Sequence, residues 1–228
     1  MKSFPTKPYI CNVINVEKVK LLVDDLLSKN NGMFITAAEF NRYAPMASNA
    51  LFDSYRGADN PNATKVVYGR NRTLDARLKV FREFETPVAI VGGHGAYPTD
   101  WAQTLSVKTE NGEVIRPLDE DRATVAYKDP YTTPTEDERF YEETDTGIKI
   151  HPNDQSSVLV TYLRKPAVPV YAVTKVNRRE VYDPLSSVDF DWDESQLNDL
   201  VMRIVQLVSV PMKDINTLNY TQAKQAEE

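Results

Sequence analysis

Ser157-Val158-Leu159-Val160-Thr161-Tyr162-Leu163-Arg164-Lys165-Pro166 reads as a β-strand. Its β-branched and aromatic residues suit a pleated surface, and a proline stops it. A Pro-rich link follows, and Asp189 to Val208 reads as an acid-capped helix. Leu197, Leu200, Val201, Ile204, Val205 and Val208 then fall on one face of that helix, at the 3, 4, 7 spacing. A strand and a strongly one-sided helix in the last third set the expectation of an α+β fold. The apolar ridge predicts a docking partner for the helix.

Outward from Ser157, the period-2 pattern extends upstream. Pro87 to Val91, Leu105 to Thr109 and Val114 to Arg116 are short and β-branched, and Asn111-Gly112 between the last two is a hairpin signal. Arg139 to Glu143 and Ile148 to His151 flank Thr144-Asp145-Thr146-Gly147 as a second hairpin, and Val170 to Thr174 adds a strand. Asp119 to Lys128 reads as a helical turn or as more of the β region. Residues 87–175 are therefore expected to form a mostly antiparallel β-rich middle, without the helix–strand alternation of a doubly wound fold.

Residues 1–86 read as a helical bundle. Val16 to Ser28 carries Val16, Val19, Val23, Leu26 and Leu27 on one side behind Asn15 as N-cap, and Asn30-Asn31-Gly32 stops it. Thr36-Ala37-Ala38-Glu39 is a capping box that opens a helix ending near Gly57, with a kink or break expected at Pro45. A third helix is expected over Thr73 to Phe84. Residues 176–228 complete the chain with helices predicted to pack on the N-terminal ones. Ser209 to Lys213 ends the long helix, and Asp214 caps a last one from Ile215.

Composition narrows the function classes. The 228 residues suffice for one large or two small domains that bury about 70% of their surface without disulfide or metal. The single Cys11 forms no internal bridge and fits a reducing compartment. A net charge of −6 disfavours a protein that coats duplex nucleic acid. Lys65, Arg70, Arg72, Arg77, Lys79 and Arg82 form a local basic run, read first as a solvated face. No apolar run reaches about 18 residues, and the polar start lacks the apolar core of a signal peptide, so an intracellular protein without a membrane span is expected.

The motifs that invite chemistry fall short of it. Gly92-Gly93-His94-Gly95 satisfies neither phosphate-loop pattern and reads as a tight turn. Asp189-Phe190-Asp191-Trp192-Asp193-Glu194 begins like a calcium loop, but Glu194 and Leu200 stand where Gly and Glu are needed. Capping of a helix by those carboxylates is the better account. His94 and His151 are the two histidines, and neither lies in a nucleophile or metal motif. No catalytic residue, metal or cofactor is expected. The aromatics of the β segment are explained mostly by its core, yet Tyr and Arg also anchor protein interfaces. Tyr131, Arg139, Tyr162, Arg164 and Trp192 are accordingly the interface candidates.

Three stretches carry a resemblance. Ala38-Glu39-Phe40-Asn41 runs through Leu51-Phe52-Asp53-Ser54-Tyr55-Arg56-Gly57, followed by VLVTYLRKPAVP over Val158 to Pro169 and by Asp189 to Lys224. In this order the chain resembles virion structural proteins of tailed phages that infect Bacteroidetes, including crAss-like phages. The resemblance implies a head–tail connector or ring component in the virion, made in the host cytoplasm. It implies a cyclic homo-oligomer, often a dodecamer, under the portal. Portal and other tail or ring proteins would be its partners, with non-specific contact to packaged DNA and none to membrane. It brings no catalytic residues. Another tail or minor capsid component, or a β-rich carbohydrate- or peptide-binding module, is the alternative.

Overall fold

A computed structural model describes residues 13–31, 34–57, 76–118, 133–136 and 138–212. The readings that fall on Cys11, Lys65 to Arg72, Asp119 to Lys128, Tyr131 and the helix from Ile215 lie outside these residues. In chain order the described elements are β1 (Val13–Ile14), α1 (Val16–Asn31), α2 (Ala37–Arg56), a 3-10 turn (Leu78–Phe81), β2 (Arg82–Ala89), β3 (His94–Ala96), β4 (Trp101–Lys108), β5 (Val114–Pro117), β6 (Phe140–Thr144), β7 (Gly147–His151), β8 (Ser157–Arg164), β9 (Val173–Val176), β10 (Arg179–Tyr182), β11 (Phe190–Asp193), a second 3-10 turn (Glu194–Gln196) and α3 (Leu197–Met212). The fold is α+β. It divides into two compact units, Met1–Val80 with Pro166–Glu228 and Phe81–Lys165.

The first unit is helical. The ridge of α3 lies inside it: Leu200, Val201, Ile204, Val205 and Val208 are buried, and α3 packs on both α1 and α2. Val16, Val19, Val23 and Leu27 of α1 and Phe40, Ala44, Ala47, Leu51 and Phe52 of α2 supply the other walls. This corrects the expectation that the ridge awaits an outside partner, because its own chain covers it. The capping box is in place, with Glu39 N donating to Thr36 Oγ1 at 3.2 Å and Thr36 N donating to Glu39 Oε2 at 2.8 Å. Gly57 ends α2 with φ at 83°, the left-handed position that glycine takes without a Cβ clash.

Pro45 breaks its helix less than the sequence suggests. α2 runs continuously through Pro45, while the described part of α3 ends at Met212, within the stop expected over Ser209 to Lys213. An interior proline costs about 3 kcal/mol through a lost amide hydrogen bond and a ring clash, and packing of the apolar face of α2 outweighs it. Of the helix expected over Thr73 to Phe84, Ala76-Arg77 are helical and Leu78–Phe81 continue as the 3-10 turn, but Arg82 already begins β2, where Phe84 stands exposed. The expected helix start at Asp189 is also corrected. Phe190–Asp193 is a strand that pairs antiparallel with β1, its buried Phe190 and Trp192 alternating with Asp191 and Asp193.

The second unit is a seven-stranded sheet in the order β2-β8-β4-β5-β6-β7-β3, antiparallel except between β5 and β6. Both expected hairpins are present: Val107 faces Ile115 across β4 and β5, and Tyr141 faces Ile150 across β6 and β7. Gly112 turns the first with φ at 88°. The sheet curls until its outer strands meet. Val91 and His94 exchange backbone bonds of 2.9 and 3.1 Å across Gly92 and Gly93, both at positive φ. Two positive-φ residues in a two-residue loop make the type I′ turn favoured between twisted strands, so Gly92-Gly93-His94-Gly95 is a hairpin turn. A Cβ on Gly147 would lie 1.9 Å from the Gly95 carbonyl oxygen, so β3 and β7 approach as only glycine permits. Val88, Ile90, Val107, Ile115, Ile148, Ile150, Val158 and Val160 fill the inside of the curl.

Candidate interaction surface

The five interface candidates separate by environment. Trp192 is fully buried in the helical unit; its indole N–H donates to Ser48 Oγ at 2.9 Å, and Tyr55 meets it edge to face at 5.7 Å. Tyr162 is buried in the sheet unit and its hydroxyl donates to Asp100 at 3.0 Å. Burial pushes that phenol up to about 12. Both rings are core, which corrects their candidacy as contact surface: neither offers a face to a partner in this fold. Arg164 lies against the Phe81 ring and 3.4 Å from Glu83. Arg139 bridges Asp154 at 2.7 Å and Glu113 at 3.4 Å. Tyr131 lies outside the described residues.

Arg139 also lines a cleft of about 240 Å³ with Thr109, Glu113, Val114 and Ile115. Its hydrogen bond holds the Asp154 carboxyl below the usual carboxylate range. Each of these charges is answered by the other, so the cleft carries a satisfied ion pair.

In the acidic run at 189–194 the three aspartates are taken by backbone donors, and Glu194 pairs with the Lys18 ammonium. Asp189 Oδ1 accepts from Val16 N, Asp191 Oδ2 from Ala167 N and Asp193 Oδ1 from Ser195 N, at 2.8, 2.9 and 3.0 Å. Capping is thus the role of Asp189, but the helix it caps is α1, where Asn15 Oδ1 takes a second donor from Lys18 N at 3.1 Å. Among the described residues no group of three His, Cys, Asp or Glu is placed to hold a metal ion. His151 lies 3.5 Å from Glu142 on neighbouring strands, with its basicity lowered by burial and partly restored by that carboxylate.

Sequence reasoning missed two features. One is a relay in the helical unit: Arg77 donates to Tyr55 Oη at 2.9 Å, and Tyr55 Oη donates to Asp199 Oδ2 at 2.6 Å. Burial and the carboxylate together raise the Tyr55 phenol above its ordinary range. The other is the ribbon β9–β10. Its strands pair only with each other among the described elements, and every residue from Thr174 to Val181 is exposed. A signal existed in Asn177, a residue that tolerates positive φ, standing after the β-branched run Val173 to Val176 and shortly before Val181-Tyr182.

Charge is divided between the two units. Residues 81–165 hold nine Lys and Arg against sixteen Asp and Glu, a net −7, whereas the rest holds eighteen against seventeen, a net +1. Compared with known proteins, the chain matches no protein-family model and no curated protein sequence. No helix among the described residues is long and apolar enough to cross a membrane.

Proposed function

We propose that this chain is a non-enzymatic structural subunit of a phage virion, a head–tail connector or ring protein that closes into a cyclic homo-oligomer under the portal. Portal and neighbouring ring or tail proteins are its other partners. The observation that carries this reading is the division of charge, −7 in one unit and +1 in the other. A ring needs a heterologous contact, in which two unlike patches of the same subunit meet and the rotation closes. A strongly acidic unit and a nearly neutral one give the subunit unlike surfaces, and like charge disfavours contact of the acidic unit with its own copy. The resemblance over Ala38 to Gly57, Val158 to Pro169 and Asp189 to Lys224 supports the same reading. A net charge of −6 suits a channel wall that lets DNA slide past without holding it.

Negative-stain imaging and mass photometry of the purified protein test it. Closed rings of uniform diameter are expected at low ionic strength, loosening as salt screens the contact. Single compact particles at every concentration and salt would overturn the reading.

A further inference from the structure

One buried residue closes the hairpin between β4 and β5. The Thr109 backbone N–H donates to the Glu113 carbonyl at 2.8 Å, its own carbonyl accepts from Gly112 N at 3.0 Å, and its hydroxyl accepts from Glu113 N at 3.1 Å. Glu110, Asn111 and Gly112 form the loop, with Gly112 in the left-handed position at its end, a common design for a three-residue hairpin connection. All three loop residues are exposed, and nothing lies within 4 Å of where a Cβ on Gly112 would stand. An asparagine followed by glycine is thus presented to water at the tip of a turn.

That pair has a chemistry of its own. With no side chain on Gly112 to hinder it, the Gly112 nitrogen can reach Asn111 Cγ. Attack forms an N–Cγ bond and closes a cyclic imide; Gly112 N gives up its proton and the side-chain nitrogen leaves as ammonia. Water then adds to one of the two imide carbonyls and breaks one C–N bond. Cleavage at Cγ leaves aspartate in an ordinary chain. Cleavage at the Asn111 main-chain carbonyl leaves isoaspartate, whose main chain runs through the former side chain and is one atom longer. No electrons change hands, and water is the only co-reactant. The folded turn works against the first step, because the Gly112 N–H is committed to the Thr109 carbonyl. The loop must open before the nitrogen can turn on Cγ, and openings at a hairpin tip are local events.

We propose that Asn111 is a modification site, converted spontaneously to aspartate and isoaspartate at a rate set by the opening of the turn that Thr109 closes. The product places a new carboxylate between Glu110 and Glu113, of which Glu113 already pairs with Arg139 at 3.4 Å. Isoaspartate also lengthens the main chain inside a loop whose bonds all end on Thr109, so the end of the β4–β5 ladder, Lys108 opposite Val114, loosens.

The test incubates the folded protein in mildly alkaline heavy-oxygen water, beside the urea-unfolded chain and a synthetic peptide of residues 105–117. Mass spectrometry follows the tryptic peptide that carries Asn111; the other Asn-Gly pair, Asn31-Gly32, falls in a different one. Aspartate and isoaspartate bearing a solvent oxygen are expected at 111 in all three samples. They should form roughly tenfold more slowly in the folded protein, since only its opened fraction reacts. Thr109→Val, with its fold checked by circular dichroism, removes the hydroxyl that holds Glu113 N and should close part of that gap. Gly112→Ala should suppress the reaction even in the unfolded chain. Equal rates in the folded and unfolded wild type would overturn control by the turn, and so would a folded Thr109→Val protein that reacts at the wild-type rate. A folded protein that keeps Asn111 intact over many half-lives of the unfolded chain would overturn the site itself.

Discussion

Asp189 Oδ1 accepts a 2.8 Å hydrogen bond from the backbone N–H of Val16, so a residue far along the chain caps the first helix. The bond fixes the strand β11 beside the start of α1, where β1 and β11 already pair. Removing the acceptor leaves one free amide at a helix N-terminus. Asp189→Ala is expected to lower stability by about 1 kcal/mol, and Asp189→Asn by much less. Urea unfolding of the three proteins checks this, and equal losses for both variants would contradict it.

Ser48→Ala strands the Trp192 indole N–H in the core, since Ser48 Oγ is its partner at 2.9 Å and both residues are buried. The unmet donor should cost about 1–3 kcal/mol. Trp192→Phe in the Ser48→Ala background should recover part of that loss, because no donor then remains. A double-mutant cycle by thermal melting reads the coupling directly.

Gly147→Ala would set a methyl 1.9 Å from the Gly95 carbonyl oxygen. Backbone on both sides must move, so a loss of ~3 kcal/mol or an unfolded sheet unit is expected. Gly112→Ala meets nothing within 4 Å and bears only the strain of φ at 88°, about 1 kcal/mol. Measured side by side, the two variants separate crowding from backbone strain.

Three phenols of the sheet unit, Tyr97, Tyr141 and Tyr162, are pushed up to about 12, in each case first by burial. The folded protein therefore holds these protons after the unfolded chain has begun to release them near 10. Above that pH the native state binds more protons than the unfolded one, and stability falls as pH rises from about 10 towards 12. Melting temperature followed through this window should drop, and Tyr141→Phe should flatten part of the slope. A level profile would count against buried phenols.

Arg178→Gly turns the ribbon's loop into Asn-Gly, the pair best suited to two positive-φ positions. Its melting temperature should equal or exceed that of the parent. A lower value would mean that the guanidinium stabilises its own subunit.

How much of this was legible depended on the range of the interaction. The turns at Asn111-Gly112 and Thr144-Asp145-Thr146-Gly147 are local, so their hairpins could be read from a few residues. The capping box at Thr36 was equally local. The helix start was read too early: Asp193 does cap the turn that leads into α3, but Phe190 to Asp193 is a strand because its partner, Val13–Ile14, lies at the other end of the chain. Pro45 misled as a break because local cost was weighed without the packing that overrides it, whereas the described α3 ends at Met212, within the stop read over Ser209 to Lys213. Among the site candidates, an aromatic or Arg suits a core and an interface alike. Residue type could not tell that Trp192 and Tyr162 are enclosed. The ribbon escaped notice since its exposed face has no hydrophobic anchor larger than valine.

The helical unit is assembled from both ends of the chain, with the sheet unit inserted between them. On the ribosome this order sets a timetable. Domains tend to fold as units while synthesis proceeds, so Phe81–Lys165 can complete itself as soon as it emerges. The apolar sides of Val16–Asn31 and Ala37–Arg56 must wait, wet and sticky, for Leu197–Met212 to be translated. A nascent chain paused between those points is a natural chaperone client, and any premature stop before Leu197 leaves a finished sheet tethered to an unfinished half.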